Sequence, residues 1–415
     1  MLNRIVLTLV FTLSFLTYVA PDLTLGVQLV PLILFAILVF FRVGFSDFVL
    51  IALESLFDME GLILVFGIPL LTLGQSIVST FDKSLPYWGV ISFCLILARL
   101  YTALTPLQEI FESFFWSAVI SLAIFLPVSF WALQESINTL VRFAPYSFHP
   151  NLLAWIMAGY FCVLLWKLWT GTWFVKTIAL FGLAICLADI FFASSRAAII
   201  AIVSGAATVA AMAMVRAVRG GRSYVLWVGI TATVLLITAS VYMYNRRSVQ
   251  DTLDFADNVL SLSTSDRGID SGFTGRVDKW ANIVRSLSDG TFLIGRGVRT
   301  SDAMETMIDN SYLVILYDLG LIPLIVILYR FASILYQSFR GYFAAVTDEK
   351  RSFFLLCTLI VIVVLVTNFA ERSLFAVGNP FSLLAFFMLA APSWQVRTED
   401  FVLARERGFD QAVVQ

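Results

Sequence analysis

Two arginines in this sequence have the chemistry and the setting to hold a diphosphate. Arg196 ends Ser194-Ser195-Arg196, and Arg276 ends Ser271-Gly272-Phe273-Thr274-Gly275-Arg276. A guanidinium stays charged at any physiological pH, and its planar fork makes bidentate, charge-assisted contacts to phosphate oxygens. Arg296, in Ile294-Gly295-Arg296-Gly297, is a second-rank candidate for the same contact, with Arg246, Arg247 and Arg299. Asp309 heads Asp309-Asn310-Ser311-Tyr312, where a carboxylate within hydrogen-bond reach can take a proton from a sugar hydroxyl. His149, the only histidine, lies in Phe148-His149-Pro150-Asn151; with Asn310 and Tyr312 it is a weaker candidate for sugar contacts.

Each of these residues also has a plainer use. Arg196 can snorkel from a helix end or pair with Asp189, two turns earlier along the chain. Arg276 can be a solvated loop charge. Asp309 can cap the helix that follows it, and aspartate is among the favoured cap residues. His149 can be structural. Both sets of readings stand on the sequence alone.

Other chemistries lack their residues. There is no Gly-rich loop followed by Lys-Ser or Lys-Thr, no dinucleotide fingerprint, and no Asp-x-Asp to hold a divalent ion on a nucleotide sugar. One histidine cannot build a histidine-rich metal site, so no metal and no cofactor are expected. The four cysteines, Cys94, Cys162, Cys186 and Cys357, lie far apart in apolar runs and suggest packing rather than disulfides. What remains open is metal-independent chemistry on a lipid-linked diphosphate.

The elements that must position these residues are membrane helices. The chain has 415 residues, is 60% hydrophobic and only 13% charged, a composition that leaves an all-α, polytopic membrane protein as the fitting class. A net charge of -1 without a polybasic run gives no reason to expect nucleic acid. Apolar runs predict about twelve transmembrane helices, at 5–21, 25–41, 61–79, 86–104, 113–133, 151–169, 173–192, 197–216, 224–243, 311–336, 353–370 and 374–391. Phe45–Phe57 carries Asp47 and Glu54 and is expected at the interface or as a half-helix. The chain then divides into an N-terminal bundle over 1–243, one large loop over 244–310, three last spans over 311–391 and a tail over 392–415.

Lysine and arginine set the sidedness. Arg216, Arg219 and Arg222 lie in one short loop, and Arg340, Lys350 and Arg351 in another, so both belong inside, with both termini cytoplasmic. The large loop is then outside. The same count delivers Arg142–Asn151, Ser194-Ser195-Arg196 and Glu371-Arg372 to that outer face. Within the loop, Val277, Trp280, Ile283, Val284 and Leu287 recur at helical spacing, with Thr274 as the expected cap. This predicts a short amphipathic helix with Arg276 in its first turn.

Taken together, these motifs resemble the O-antigen ligase and polymerase superfamily. The resemblance rests on Phe148–Asn151, Ser194–Ala197, Thr274–Trp280, Gly295–Gly297 and Asp309–Leu324, over somewhat less than half of the chain. It implies a glycosyltransferase acting outside a bacterial inner membrane on undecaprenyl-pyrophosphate-linked oligosaccharides, with membrane lipid around it and a chain-length regulator as a further candidate partner. Ligases of this superfamily carry a histidine at the head of the last loop motif. Here Asp309 stands in its place, which favours a polymerase of O-antigen, capsule or exopolysaccharide type over the alternative, a ligase acting on lipid A-core. In this reading Arg196, Arg276 and Arg296 contact the pyrophosphate, and Asp309 serves the acceptor hydroxyl. A secondary transporter or flippase is the rival from another class; it would need ionisable residues along a path, and Asp189 is the one acid well inside a late span.

Overall fold

The computed structural model describes residues 2–19, 30–44, 81–139, 150–220, 276–287, 308–372 and 379–391, with short pieces at 46, 49–50, 53, 292–293, 295–297, 301 and 374. Among these residues all regular structure is helical. In chain order the helices are α1 (Leu2–Val19), α2 (Val30–Val43), α3 (Phe81–Leu104), α4 (Leu107–Thr139), α5 (Pro150–Thr170), α6 (Trp173–Phe192) and α7 (Arg196–Arg219). They continue with α8 (Arg276–Ser286), α9 (Ser311–Asp318), α10 (Leu321–Ala344), α11 (Asp348–Ala370) and α12 (Pro380–Ala390). Six of them are long and apolar enough to cross a membrane: the apolar part of α4 over Leu107–Trp131, then α5, α6, α7, α10 and α11. At about 1.5 Å per residue, each matches or exceeds a hydrocarbon core of roughly 30 Å.

The expected spans at 151–169, 173–192 and 197–216 coincide closely with α5, α6 and α7. Those at 61–79 and 224–243 lie outside the described residues, as do most of Phe45–Phe57 and most of the large loop.

Helix α5 forms the centre. It is apolar on every side, as a helix surrounded by others must be, and its residues from Leu153 to Trp166 are nearly all buried. It packs against α4, α6, α7, α11 and α12. Small residues bring several neighbours close: Gly159 faces the ring of Phe381, and Gly205 of α7 faces Leu359 and Val363 of α11. Hydroxyls add interhelical bonds, including Trp155 Nε1 to Thr367 Oγ1 at 2.7 Å and Tyr160 Oη to Ser121 Oγ at 3.2 Å.

Two elements depart from the expected spans. The continuous helix expected over 311–336 is broken into α9 and α10 at Leu319-Gly320, where Gly320 has φ +91°. The last span is short. Its apolar run begins near Leu374, but Asn379 accepts bonds from the Phe381 and Ser382 amides and Pro380 fixes the first turn, so α12 starts there. With 11 residues it measures about 16 Å, roughly half a span. Its last carbonyls, left without intrahelical partners, are taken by Arg330, which donates to Leu389 O and Ala391 O, and by Arg99, which donates to Ala390 O at 2.9 Å.

The bundle has two chemically distinct ends. Antiparallel packing sets the starts of α5 and α7 beside the end of α11. The opposite end gathers Arg216, Arg219, Arg340, Lys350 and Arg351, together with the Arg4–Glu109 and Lys167–Glu112 ion pairs.

Candidate functional site

The end of the bundle opposite the basic one gathers polar residues from four connections. Its hub is Ser311, the first residue of α9 and 3% exposed. The Ser311 hydroxyl lies 2.7 Å from Asn368 Oδ1 and 2.8 Å from the Glu371 carbonyl, two acceptors for its single proton, and it accepts from the Leu374 amide at 3.2 Å. The Glu371 side chain, also buried, accepts from Asn151 Nδ2 at 2.6 Å. One hydroxyl and one carboxylate thus tie the starts of α5 and α9 to the end of α11.

Asp309 and Asn310 enter this hub from the large loop. The cap of α9 is Asn310, not Asp309: its Oδ1 accepts from the Tyr312 amide at 2.9 Å and the Leu313 amide at 3.1 Å. That leaves the half-buried carboxylate of Asp309 outside the helix start, one residue before the cap. The Tyr312 hydroxyl donates to Leu365 O at 2.7 Å, a bond between α9 and α11. The side-chain oxygens of Asn310 and Tyr312, both candidates for sugar contacts, therefore serve the fold directly.

Arg196 opens α7. The chain reverses immediately before it: Ala193 closes α6, Ser194 adopts φ +53°, and Ser195 stands at the N-cap. This reversal places Asp189 and Arg196 on two different helices, so the two do not share a helix face. Asp189 is buried in α6, with Ser129 Oγ at 3.4 Å from its Oδ2. Because α7 runs antiparallel to α11, with Gly205 against Leu359 and Val363, Arg196 lies at the same end as Glu371.

The amphipathic helix forms where its periodicity predicts, as α8. Trp280 meets Phe369 of α11 edge-on, with ring centroids 5.2 Å apart. Ile283 and Leu287 bury against Leu316 and Tyr317 of α9 in a small separate core, while Val284 stays exposed. Arg276 is the first residue of this helix, one turn before Trp280, which starts the helix toward the polar end. Its expected cap, Thr274, lies outside the described residues, as does His149.

Arg296 is placed elsewhere, at the break between α9 and α10. Breaking a helix frees carbonyls, and the Gly-Arg-Gly segment takes them: the Arg296 amide donates to Tyr317 O at 2.8 Å and the Gly297 amide to Asp318 O at 2.9 Å. On the other side of the break, the Leu321 amide donates to Phe292 O at 2.9 Å. The Arg296 guanidinium donates to the Ser286 carbonyl at the end of α8 and lies 5.3 Å from the centroid of the Tyr317 ring. Asp318, 5% exposed, accepts from the Ser301 amide at 2.8 Å and the Ser301 hydroxyl at 2.9 Å. Gly295 has φ +74°, and a Cβ there would collide with the Asp318 carbonyl. This latch joins the large loop to α9 at the far end of α9 from Asp309.

The structure therefore brings Arg196, Asp309 and the start of Arg276–Ser286 to one end and seats Arg296 in the latch. It adds Asn151, Ser311 and Glu371, which lie in segments expected at the outer face but had no assigned role, and Asn368, which was not among the candidates. One signal for Asn368 existed: it is an amide near the end of an otherwise largely apolar span, three residues before Glu371. Among the described residues no cluster of three or more histidine, cysteine or carboxylate side chains is placed to hold a metal ion. No family model matches the chain, and no curated protein matches it either.

Proposed function

We propose that this chain is a polysaccharide polymerase, a metal-independent membrane glycosyltransferase that moves a growing glycan from undecaprenyl pyrophosphate to the next lipid-linked repeat unit. It would work at the outer face of a bacterial inner membrane, with both termini cytoplasmic. The observation that supports the reading is the placement of two arginine-bearing helix starts and a half-buried carboxylate at the same end of a bundle of membrane-length helices. Arg196 and Arg276 would stabilise the charge that grows on the pyrophosphate as the glycosidic carbon leaves it. Asp309, not occupied as the helix cap, would orient or deprotonate the attacking hydroxyl through an oxocarbenium-like state. Arg296, engaged by Ser286 and Tyr317, would support the loop instead of the diphosphate.

Two readings compete. Ligase activity onto lipid A-core uses the same donor chemistry. Transport draws on a different observation, the buried Asp189 carboxylate with Ser129 beside it inside the bundle. Surface glycans from a strain lacking the gene, with and without the gene restored, separate all three. Single repeat units that become a ladder on restoration support the polymerase. Full-length polymer left on its carrier indicates a ligase, and an unchanged profile removes both enzymes.

A further inference from the structure

We propose that the basic end of α7, α10 and α11 binds the headgroup of an anionic phospholipid. Five cations meet there, Arg216 and Arg219 from α7 and Arg340, Lys350 and Arg351 from the α10–α11 hairpin, against two carboxylates, Asp348 and Glu349. Both carboxylates are engaged: Asp348 pairs with Arg351, and Glu349 accepts from Gln108 Nε2 at 2.9 Å. Among the described residues no carboxylate pairs with Arg216, Arg219, Arg340 or Lys350.

Aromatic faces and backbone hold three of these four cations instead. Arg216 donates to Tyr342 O at 2.9 Å and lies 5.5 Å from the Tyr342 ring centroid. Arg219 lies 4.9 Å from the centroid of Phe343, and Arg340 lies 5.9 Å from that of Tyr336. A guanidinium resting on a ring keeps its N–H edges directed outward, the arrangement that grips a phosphate oxygen. The helix dipole accounts for the cations in the last turn of α7. It does not account for Lys350 in the first turn of α11, where the dipole opposes a positive charge.

The surroundings fit a lipid. Val215 of α7 and Tyr336 and Phe339 of α10 are exposed close to these cations, on helices long and apolar enough to cross a membrane. Acyl chains would lie on that surface while the phosphate sits among the guanidinium groups. The inference does not depend on the proposed polymerase activity.

The test uses the full chain in nanodiscs of phosphatidylcholine mixed with phosphatidylglycerol, with native mass spectrometry counting the lipids retained. Basic residues at an anionic surface contribute additively, so R219Q/R340Q should lower the preference for phosphatidylglycerol by about tenfold or more. The charge-keeping R219K/R340K should preserve it. So should Arg4→Gln, at the same end but beside Glu109. Absence of any preference in the natural chain, an unchanged preference in R219Q/R340Q, or an equal loss in Arg4→Gln would each overturn the proposal. Unfolding midpoints in pure phosphatidylcholine discs show that each variant is folded.

Discussion

Asn151 donates from Nδ2 to Glu371 Oε1 across 2.6 Å, joining the second residue of α5 to the residue that closes α11. These positions are 220 apart in sequence, and the carboxylate is buried. Removing one partner costs the other this bond in a partly buried site, and such a loss exceeds what the bond itself contributes. Glu371→Ala and Asn151→Ala should each destabilise the protein by about 1–3 kcal/mol. The double variant should lose clearly less than their sum. Thermal unfolding in detergent measures all three, and strict additivity would mean that the two groups do not act as a pair.

The latch at the break predicts a contrast between glycines. Gly295→Ala must hold a side chain at φ +74° and drive its Cβ into the Asp318 carbonyl. Gly220, at the end of α7, has φ −79°, and a Cβ there would meet nothing closer than 3.5 Å. Gly295→Ala should therefore reduce folded yield in the membrane severalfold, and Gly220→Ala should leave it unchanged. Equal yields would show that the Gly-Arg-Gly segment does not require its closeness to α9.

Within the same latch, Asp318 should matter more than Ser301. Asp318→Ala leaves the Ser301 amide and hydroxyl without acceptors inside a buried site, whereas Ser301→Ala removes one of two bonds and keeps the amide bond. Asp318→Asn retains an oxygen for the amide. The expected order of unfolding midpoints is natural chain, then Ser301→Ala and Asp318→Asn, then Asp318→Ala. A midpoint for Asp318→Ala equal to that of Ser301→Ala would show the second bond to be unimportant.

Why some of this was legible in the sequence follows from range. Hydropathy and helical period depend on neighbours a few residues away, and they located α5, α6, α7 and the amphipathic α8. The break in the tenth span also had a local sign, Gly320 followed by Pro323 in the first turn of a new helix, but it sits inside an unbroken apolar run. The choice of cap between Asp309 and Asn310 had no local sign, because both residues cap well. The use of Arg296 was hidden altogether. Its partners at Ser286 and Tyr317 are ordinary residues, and only the fold brings them to a glycine-flanked arginine that otherwise resembles an anion contact.

Arg276 tests the donor side of the proposed chemistry. It starts a helix whose anchoring belongs to Trp280, Ile283 and Leu287, so losing it should not unseat α8. Arg276→Ala should abolish polymer on a surface-glycan gel while protein level stays normal, and Arg276→Lys, keeping charge without the bidentate fork, should recover only part. Near-normal polymer from Arg276→Ala would remove the residue from the site.

Adjacent residues separate structure from chemistry on the acceptor side. Asn310 accepts from two amides at the start of α9, so Asn310→Ala should lower stability by about 1 kcal/mol and reduce polymer only as far as the folded population falls. Asp309→Asn preserves shape and removes the charge. If this carboxylate serves the attacking hydroxyl, turnover should drop by roughly a hundredfold or more, the range for losing a positioned acid–base group, with the unfolding midpoint unchanged. Assays on purified, folded protein with lipid-linked repeat units read the two effects apart. Full turnover in Asp309→Asn would exclude proton transfer there, and the base would have to be sought among the other carboxylates of the polar end, beginning with Glu371.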